Sequence, residues 1–398
     1  MKILVVAPTP FFSDRGTHIR ILEEALALER RGHEVTIATY HIGADLPQSL
    51  LRSIDVRRIR RLLFWYKKLE AGPDWQKIVL DLLLIKKTFF LARTKRPDII
   101  HGHLHEGALI GWLVQKLLFW RTIKLVVDFH GSLTKEMVSH QYLGASGLKK
   151  LFEKVEHFID NLGDKAITSS WANTSEIGRI RGENRPETVL DGVNMGYYEH
   201  FPAVSELRKK YRVPEQSLVV TYTGALVPNK GILHFIEAIP LILAGHPEAH
   251  IVIAGFPWNE VAPYFADKAW IEKVTVITPL PYFSLPEILH MSDIGIDPKE
   301  ALVGQASGKM LQYMGAGLPI VSFDTENNRE YAGEGGEYAR EISAEGLAEA
   351  TLKLLRDPEL RKRKGEANQA RAQEHFSWEK TGRQLERIYE SLIEQSHE

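Results

Sequence analysis

The stretch "SDIGIDPKEALVGQASGKMLQYMGAGLPIVSFD" (Ser292–Asp324) decides the fold class. It runs from an apolar strand through a glycine-bearing loop and a helical segment to a glycine stop and a second apolar strand. Strands joined through a helix lie parallel, because an antiparallel pair needs only a tight turn. The loop starts like a phosphate-binding loop, which requires Gly, four residues, then Gly-Lys-Ser/Thr. Here only three residues separate Gly304 from Gly308-Lys309, and Met310 stands where the magnesium-binding hydroxyl belongs. On a helix starting near Ser307, Met310, Leu311 and Met314 form the apolar face. Lys309 and Gln312, three apart, share the opposite face. That places an ammonium and an amide toward one ligand, with the Ser307 and Gly308 amides at the positive helix end.

The same alternation continues to both ends of the chain. Strands are expected at Ile3–Ala7, Glu34–Thr39, Ile99–His101, Leu125–Phe129 and Lys165–Thr168 in the first half. The second half offers Leu218–Thr223, His250–Ala254, Val274–Ile277, Ile294–Asp297 and Pro319–Phe323. Amphipathic segments such as Ile19–Arg31 and Ile232–Leu243 lie between them. Near-continuous Val/Ile/Leu strands alternating with helices indicate parallel sheets covered on both faces. A length of 398 residues favours two domains, since single cores rarely grow past roughly 250–300 residues. The α/β chain is therefore expected to form two doubly wound domains, 1–200 and 201–375, with the change falling in Met195–Ser217. The tail Phe376–Gln395 reads as an amphipathic helix with Trp378, Leu385, Ile388, Tyr389 and Leu392 on one side.

Composition narrows the chemistry. Hydrophobic residues make up 44% and charged residues 25%, as in an ordinary globular protein. With no cysteine, disulfides, thiolate metal sites and cysteine nucleophiles are excluded, and a reducing, cytoplasmic setting fits. The opening Met-Lys-Ile-Leu-Val-Val-Ala-Pro is short for a signal segment and reads as a first strand. No apolar run reaches the about 18 residues of a membrane span. Residues 1–200 hold 29 Lys and Arg against 23 Asp and Glu, whereas residues 201–398 hold 21 against 28. Only the first half is a candidate for anionic partners.

Ligands of doubly wound sheets bind beyond the carboxyl ends of the strands. After the first strand, Gly16 opens a helix whose amides form a natural anion site, with Arg15 and Arg20 nearby. "DIIHGHLHEG" (Asp98–Gly107) and "VVDFHGS" (Val126–Ser132) end strands with His101, His103 and His130, where neutral imidazoles can donate to hydroxyls or phosphate. A zinc site lacks support, since no His-x-x-x-His pair or acidic cluster accompanies them. In "VVTYTGALVPNKGILHFIEA" (Val219–Ala238), Lys230-Gly231 precede a helix, a suitable cradle for a diphosphate. Gly255, in "HIVIAGFP", implies a close backbone approach.

This ordered set resembles the family 4 glycosyltransferases of the GT-B fold over essentially the whole chain. The pieces are "RRGHEVTIAT", "RPDIIHGH", "LDGVNMGYYEHF", "YTGALVPNKGILHFIEA", "MGAGLPIVSFD" and the final "FSW" with its helix. The resemblance implies two Rossmann-like domains facing a central cleft, with helix 376–398 packing back on the N-terminal domain. It implies retaining transfer of a sugar from a nucleoside-diphosphate sugar, UDP- or GDP-linked, to an acceptor hydroxyl, with no metal or further cofactor. Lys230 would neutralise the diphosphate leaving group, and Gly16, Gly224, Gly231, Ser307 and Gly308 would line the donor. His103 and His130 would line the reaction centre on the acceptor side. Fixed positive groups at the leaving group lower such a barrier most.

The chain departs from the family at three points. Two glutamates seven residues apart are usual; aligned on "YMGAGLP" they fall on Gly304 and Gln312. An amide still bonds ribose hydroxyls, without a carboxylate's charge assistance. The arginine that usually follows the strand-end glycine is absent, "GAL" standing at Gly224. Lys309 is the candidate for the lost charge, and Glu300 for the lost sugar-binding carboxylate.

"VRRIRRLLFWYKKLEAGPDWQK" sets Arg57, Arg58, Arg60, Arg61, Lys67 and Lys68 around Leu62–Tyr66, including Trp65. "KLLFWRTIK" (Lys116–Lys124) extends the pattern. Basic residues beside aromatics suit a peripheral contact with anionic lipid on the inner face of the membrane, and hence a lipid-linked or cell-envelope glycan acceptor. Nucleic acid is disfavoured, with no zinc or helix-turn-helix signature. Two other readings stay open: a GT-B epimerase, for which no carboxylate cluster is evident, and a degenerate binding domain without turnover.

Overall fold

The computed structural model describes residues 1–51, 53–69, 74–132, 134, 147–300 and 308–395. Among these the chain forms two compact units. Unit 1 holds residues from Met1 to Asp191 together with the segment starting at Trp378; unit 2 holds those between Gly192 and Ser377.

Unit 1 contains strands β1 (Lys2–Ala7), β2 (Glu34–Thr39), β3 (Asp55–Arg58), β4 (Ile99–His103), β5 (Lys124–Phe129), β6 (Lys165–Thr168) and β7 (Glu187–Thr188). They form one sheet in the order β3-β2-β1-β4-β5-β6-β7, every neighbouring pair parallel. Between them run α1 (Gly16–Arg30), α2 (Gln48–Leu51), α3 (Trp75–Lys95), α4 (Leu104–Leu117), α5 (Gly147–Asp160) and α6 (Trp171–Arg181). Capping fixes two of the starts: Asp74 accepts from the Gln76 amide at 3.1 Å, and Ser170 from that of Asn173 at 3.3 Å. The core joins Leu4, Val6, Ile100, Leu125 and Val127 of the sheet to Leu80 and Leu84 of α3 and Val114 of α4.

Unit 2 contains α7 (Val204–Tyr211), β8 (Leu218–Ala225), α8 (Ile232–Gly245), β9 (Ala249–Phe256), β10 (Val274–Ile277), α9 (Leu285–His290) and β11 (Ile294–Asp297). Then follow α10 (Gly308–Gly315), β12 (Ile320–Phe323), α11 (Glu326–Ala332), β13 (Gly336–Ala339), α12 (Ala344–Arg356) and α13 (Pro358–His375). Its sheet runs β10-β9-β8-β11-β12-β13, again all parallel. Val220, Ile251, Ile253, Ile296 and Val321 meet Phe235 and Ile239 of α8 and Leu347 of α12 in its core. The last helix, α14 (Trp378–Glu394), belongs to unit 1 and packs on α1. Its expected apolar side, Trp378, Leu385, Ile388, Tyr389 and Leu392, is buried.

Three strands escaped the sequence reading: β3, β7 and β13. All three are outermost in their sheets. An edge strand has one neighbour and needs no apolar run, so Asp-Val-Arg-Arg and Gly-Glu-Tyr-Ala carry little pattern. The units divide at Asp191/Gly192, upstream of the expected Met195–Ser217.

Candidate active site

In unit 1, β1, β4 and β5 are neighbours, so their carboxyl ends gather Gly16, His103 and His130. The register sets His103 directly opposite Asp128. Asp128 is the hub. Its Oδ2 accepts from Arg20 Nε at 2.7 Å, and lies 3.1 Å from both His103 Nδ1 and His130 Nε2. Arg20 also reaches Asp191 Oδ1 at 2.7 Å and Glu24 Oε1 at 2.9 Å. Burial alone would raise the Asp128 pKa, but Arg20 and then His130 hold it well below the usual carboxylate range. Glu24 is pushed up by burial against the pull of Arg20. The shared buried cation Arg20 thus favours the charge on Asp128 over that on Glu24.

Burial disfavours the charge on His101 and His103. Burial lowers His103 to about 4 despite the hydrogen bond and charge of Asp128, and lowers His101 further. His101 stacks on His103 at 4.3 Å and pairs through Nδ1 with the Tyr389 hydroxyl of α14 at 2.8 Å. Glu24, His101, His103 and Asp128 lie close enough together to suggest a metal site. Arg20 is the cation beside Asp128 and Glu24 in this cluster. The expectation that His103 lines a reaction centre is corrected: it is fully buried and holds Asp128, while His130 keeps an accessible edge.

At Gly16, which starts α1, an added Cβ would meet no atom within 4 Å, so the packing of the chain does not demand a glycine there. A second buried group lies nearby. His105 Nε2 stands 3.2 Å from Asp160 Oδ1, and Glu156 accepts from Ser132 Oγ at 2.8 Å and the Thr134 amide at 3.1 Å. It ties α4 to α5; burial disfavours the His105 charge, yet Asp160 and Glu156 raise its pKa.

In unit 2 the ends of β8 and β11 approach closely. A Cβ at Gly231, where φ is +74°, would fall 1.8 Å from the Pro298 carbonyl oxygen. Gly231 is therefore required by backbone packing and by its left-handed conformation. This approach sets Lys230 beside Lys299, a residue the sequence reading missed. Burial, and then the charge of Lys230, lower Lys299 to about 8 against the pull of Asp297, with Lys309 adding to the effect. Lys299 thus sits among Lys230, Lys309 and the buried Asp297. The run "DPKE" directly after β11 was the available signal, since strand ends carry the ligands.

Lys309 and Gln312 do not sit on an exposed face. Met310, Leu311, Gln312, Tyr313 and Met314 of α10 are all buried, because the sheet covers one side and α13 another. Lys309 Nζ lies 3.4 Å from Asp297 Oδ1 and 4.0 Å from the Tyr222 ring centre. Burial would lower its pKa, but Tyr222 and Asp297 hold it above the ordinary lysine value. Its Cε approaches Gly224, where a Cβ would come within 3.7 Å, the place at which the family's arginine is missing. Gln312 Oε1 accepts from Tyr198 at 2.7 Å. Glu300 Oε1 pairs with His234 Nε2 at 2.8 Å and stays partly exposed. A Cβ at Gly308 would meet nothing within 4 Å; Ser307 lies outside the described residues.

The basic stretch divides in two. Arg57 and Arg58 are on β3, where Arg57 pairs with Asp55 at 2.6 Å. Arg58 donates to the carbonyls of Phe11, Ile42 and Ala44, the last two at 3.0 and 2.7 Å, so it braces loops and is corrected as a surface contact. Arg60, Arg61 and Trp65 are exposed.

The description of glycosyl transferases group 1 matches residues 203–371, and that of glycosyltransferase family 4 matches residues 15–195. D-inositol 3-phosphate glycosyltransferase of Corynebacterium glutamicum is 25% identical over 95% of this chain and 92% of its own length. Sucrose-phosphate synthase from Thermosynechococcus elongatus superposes with a TM-score of 0.75 at 17% identity, covering 99% of both chains. HepE of Anabaena, solved with UDP-glucose, gives 0.74 at 16% identity, covering 98% of this chain and 100% of that one. Two parallel-sheet units, site residues at strand ends and two matching family descriptions agree: the chain belongs to the family 4 glycosyltransferases of group 1, transferases of the GT-B fold.

Proposed function

We propose that the protein transfers a sugar, with retention, from a nucleoside-diphosphate sugar to an acceptor hydroxyl on a lipid-linked or cell-envelope glycan. The placement of Lys230 beside the buried Lys299, next to the Lys309–Asp297 pair, carries this reading. Lys309 pairs with Asp297, and Lys230 and Lys299 bring two further lysines to the strand ends of unit 2. Charge builds on the diphosphate as the bond to the sugar breaks, so a fixed cation there favours the transition state over the ground state. Lysines and the Gly308 helix end supply that field, and no metal ion is assigned to the step. The UDP and UDP-glucose named for HepE support a nucleotide donor, UDP or GDP. Unit 1 would take the acceptor, with the His130 edge at its sheet ends and Asp128 fixing the ring.

Turnover of UDP- and GDP-sugars tests the reading. Lys230→Ala is expected to lower donor hydrolysis or transfer by roughly 10²–10³-fold. Undiminished turnover in that variant would remove Lys230 from the leaving-group site. Tight nucleotide binding without turnover on any acceptor would favour a binding protein instead.

A further inference from the structure

Unit 1 carries an apolar outer surface that its core does not use. Helix α3 buries Leu80, Leu84, Leu91 and Ala92, yet Trp75, Ile78 and Leu82 are 62%, 65% and 61% exposed. Their spacing places them along one stripe, separate from the buried side. Further exposed aromatics lie near both ends of this helix, which is about 31 Å long. At the start, Lys68 pairs with Asp74 at 3.8 Å and draws in the segment bearing exposed Leu62, Phe64 and Trp65. Phe64 and Trp65 meet edge to face at 4.9 Å. Exposed Phe119 and Trp120 follow α4, where Arg121 Nη1 donates to the Ala92 carbonyl near the end of α3 at 3.2 Å.

Cations accompany this surface: Lys86 and Arg93 on α3, Arg60, Arg61 and Lys67 before it, and Lys116, Arg121 and Lys124 after it. The acids are few and committed. Asp74 caps α3, and Asp81 accepts from the Tyr40 hydroxyl and is pushed up to about 7 by burial. Monomeric proteins seldom leave so long an apolar run uncovered.

We propose that this face of unit 1 docks on an anionic lipid surface, with the aromatics at head-group depth and the lysines and arginines against lipid phosphates. The proposal rests on the lipid-linked acceptor reading and names the surface that would bring the enzyme to it. A second copy is the weaker occupant, because a two-fold contact would press the cationic rim against itself. No helix among the described residues is long and apolar enough to cross a membrane, so the contact lies on the bilayer.

Co-sedimentation of the full chain with vesicles tests this. Phosphatidylcholine vesicles containing phosphatidylglycerol should bind it at least about tenfold better than pure phosphatidylcholine, and high salt should weaken the binding. Ile78→Gln with Leu82→Gln, and separately Phe119→Ser with Trp120→Ser, should each lower partitioning about tenfold or more. Nucleoside diphosphate binding, read in the same samples, should stay unchanged in both variants. Partitioning untouched by both pairs would overturn the proposal. So would a dimer, without vesicle binding, that the same substitutions dissociate. Wild-type protein that binds vesicles but no nucleoside diphosphate would instead sink the glycosyl-transfer reading and leave the docking surface standing.

Discussion

Lys299 titrates far below an ordinary lysine. Its value falls from 10.5 to about 8 because burial and the neighbouring Lys230 both disfavour the charge. Between those values the unfolded chain binds more protons than the folded one, so this residue's contribution to stability improves as pH rises through that window. Anion binding runs the other way, since it needs the ammonium. Nucleoside diphosphate affinity should therefore fall when pH is raised from about 7 to about 9, and Lys299→Arg should flatten that decline because a guanidinium stays charged. Calorimetric titration at both pH values checks it; a wild-type affinity equal at both would show that Lys299 does not meet the anion. Lys230, Gly16 and Gly224 were legible because they follow strands. Lys299 was not, because its character comes from burial beside other lysines, which neighbours in sequence do not reveal. Lys309 was misplaced for a related reason. Helical periodicity assigns an outward face to polar residues, but α10 is covered around its circumference, so its lysine turns to Asp297 and its glutamine to Tyr198.

At the scale of elements, Arg20 joins α1 to β5 and to Asp191 beyond β7 through one fully buried guanidinium. Removing it leaves Asp128 buried without its cation, a change that typically costs about 3–5 kcal/mol. Arg20→Ala should lower the urea midpoint of unit 1 accordingly, and Arg20→Lys should recover only part, since one ammonium cannot span Asp128, Asp191 and Glu24. A midpoint within about 0.5 kcal/mol of wild type would mean the network contributes little. The sequence showed Arg20 only as a basic residue near a helix start, because Asp128 and Asp191 lie more than a hundred positions away. The inner strands and the apolar side of α14 were legible, since burial on both sheet faces or along one helix stripe leaves a local pattern. The edge strands were not, and the charged β3 was absorbed into a basic surface stretch.

At the scale of the molecule, two all-parallel sheets assign the chemistry to strand ends in each unit separately. Under the proposed function, the clustered lysines of unit 2 meet the diphosphate, and the His130 edge of unit 1, held by Asp128, meets hydroxyls. The two-domain GT-B architecture was legible from strand-helix alternation together with ordered family motifs. The outer stripe of α3 was not, because Trp75, Ile78 and Leu82 look like core until the sheet is seen to use the opposite side. The central claim is that unit 2 holds a nucleoside diphosphate through Lys230, and thermal unfolding with UDP, GDP and ADP tests it most directly. A ligand at about 100 times its Kd adds about 2.7 kcal/mol of stability, a shift of several degrees for a domain of this size. One of the three should raise the wild-type Tm by that order, and the shift should shrink sharply in Lys230→Ala. No shift with any of them, or an equal shift in the variant, would contradict the account.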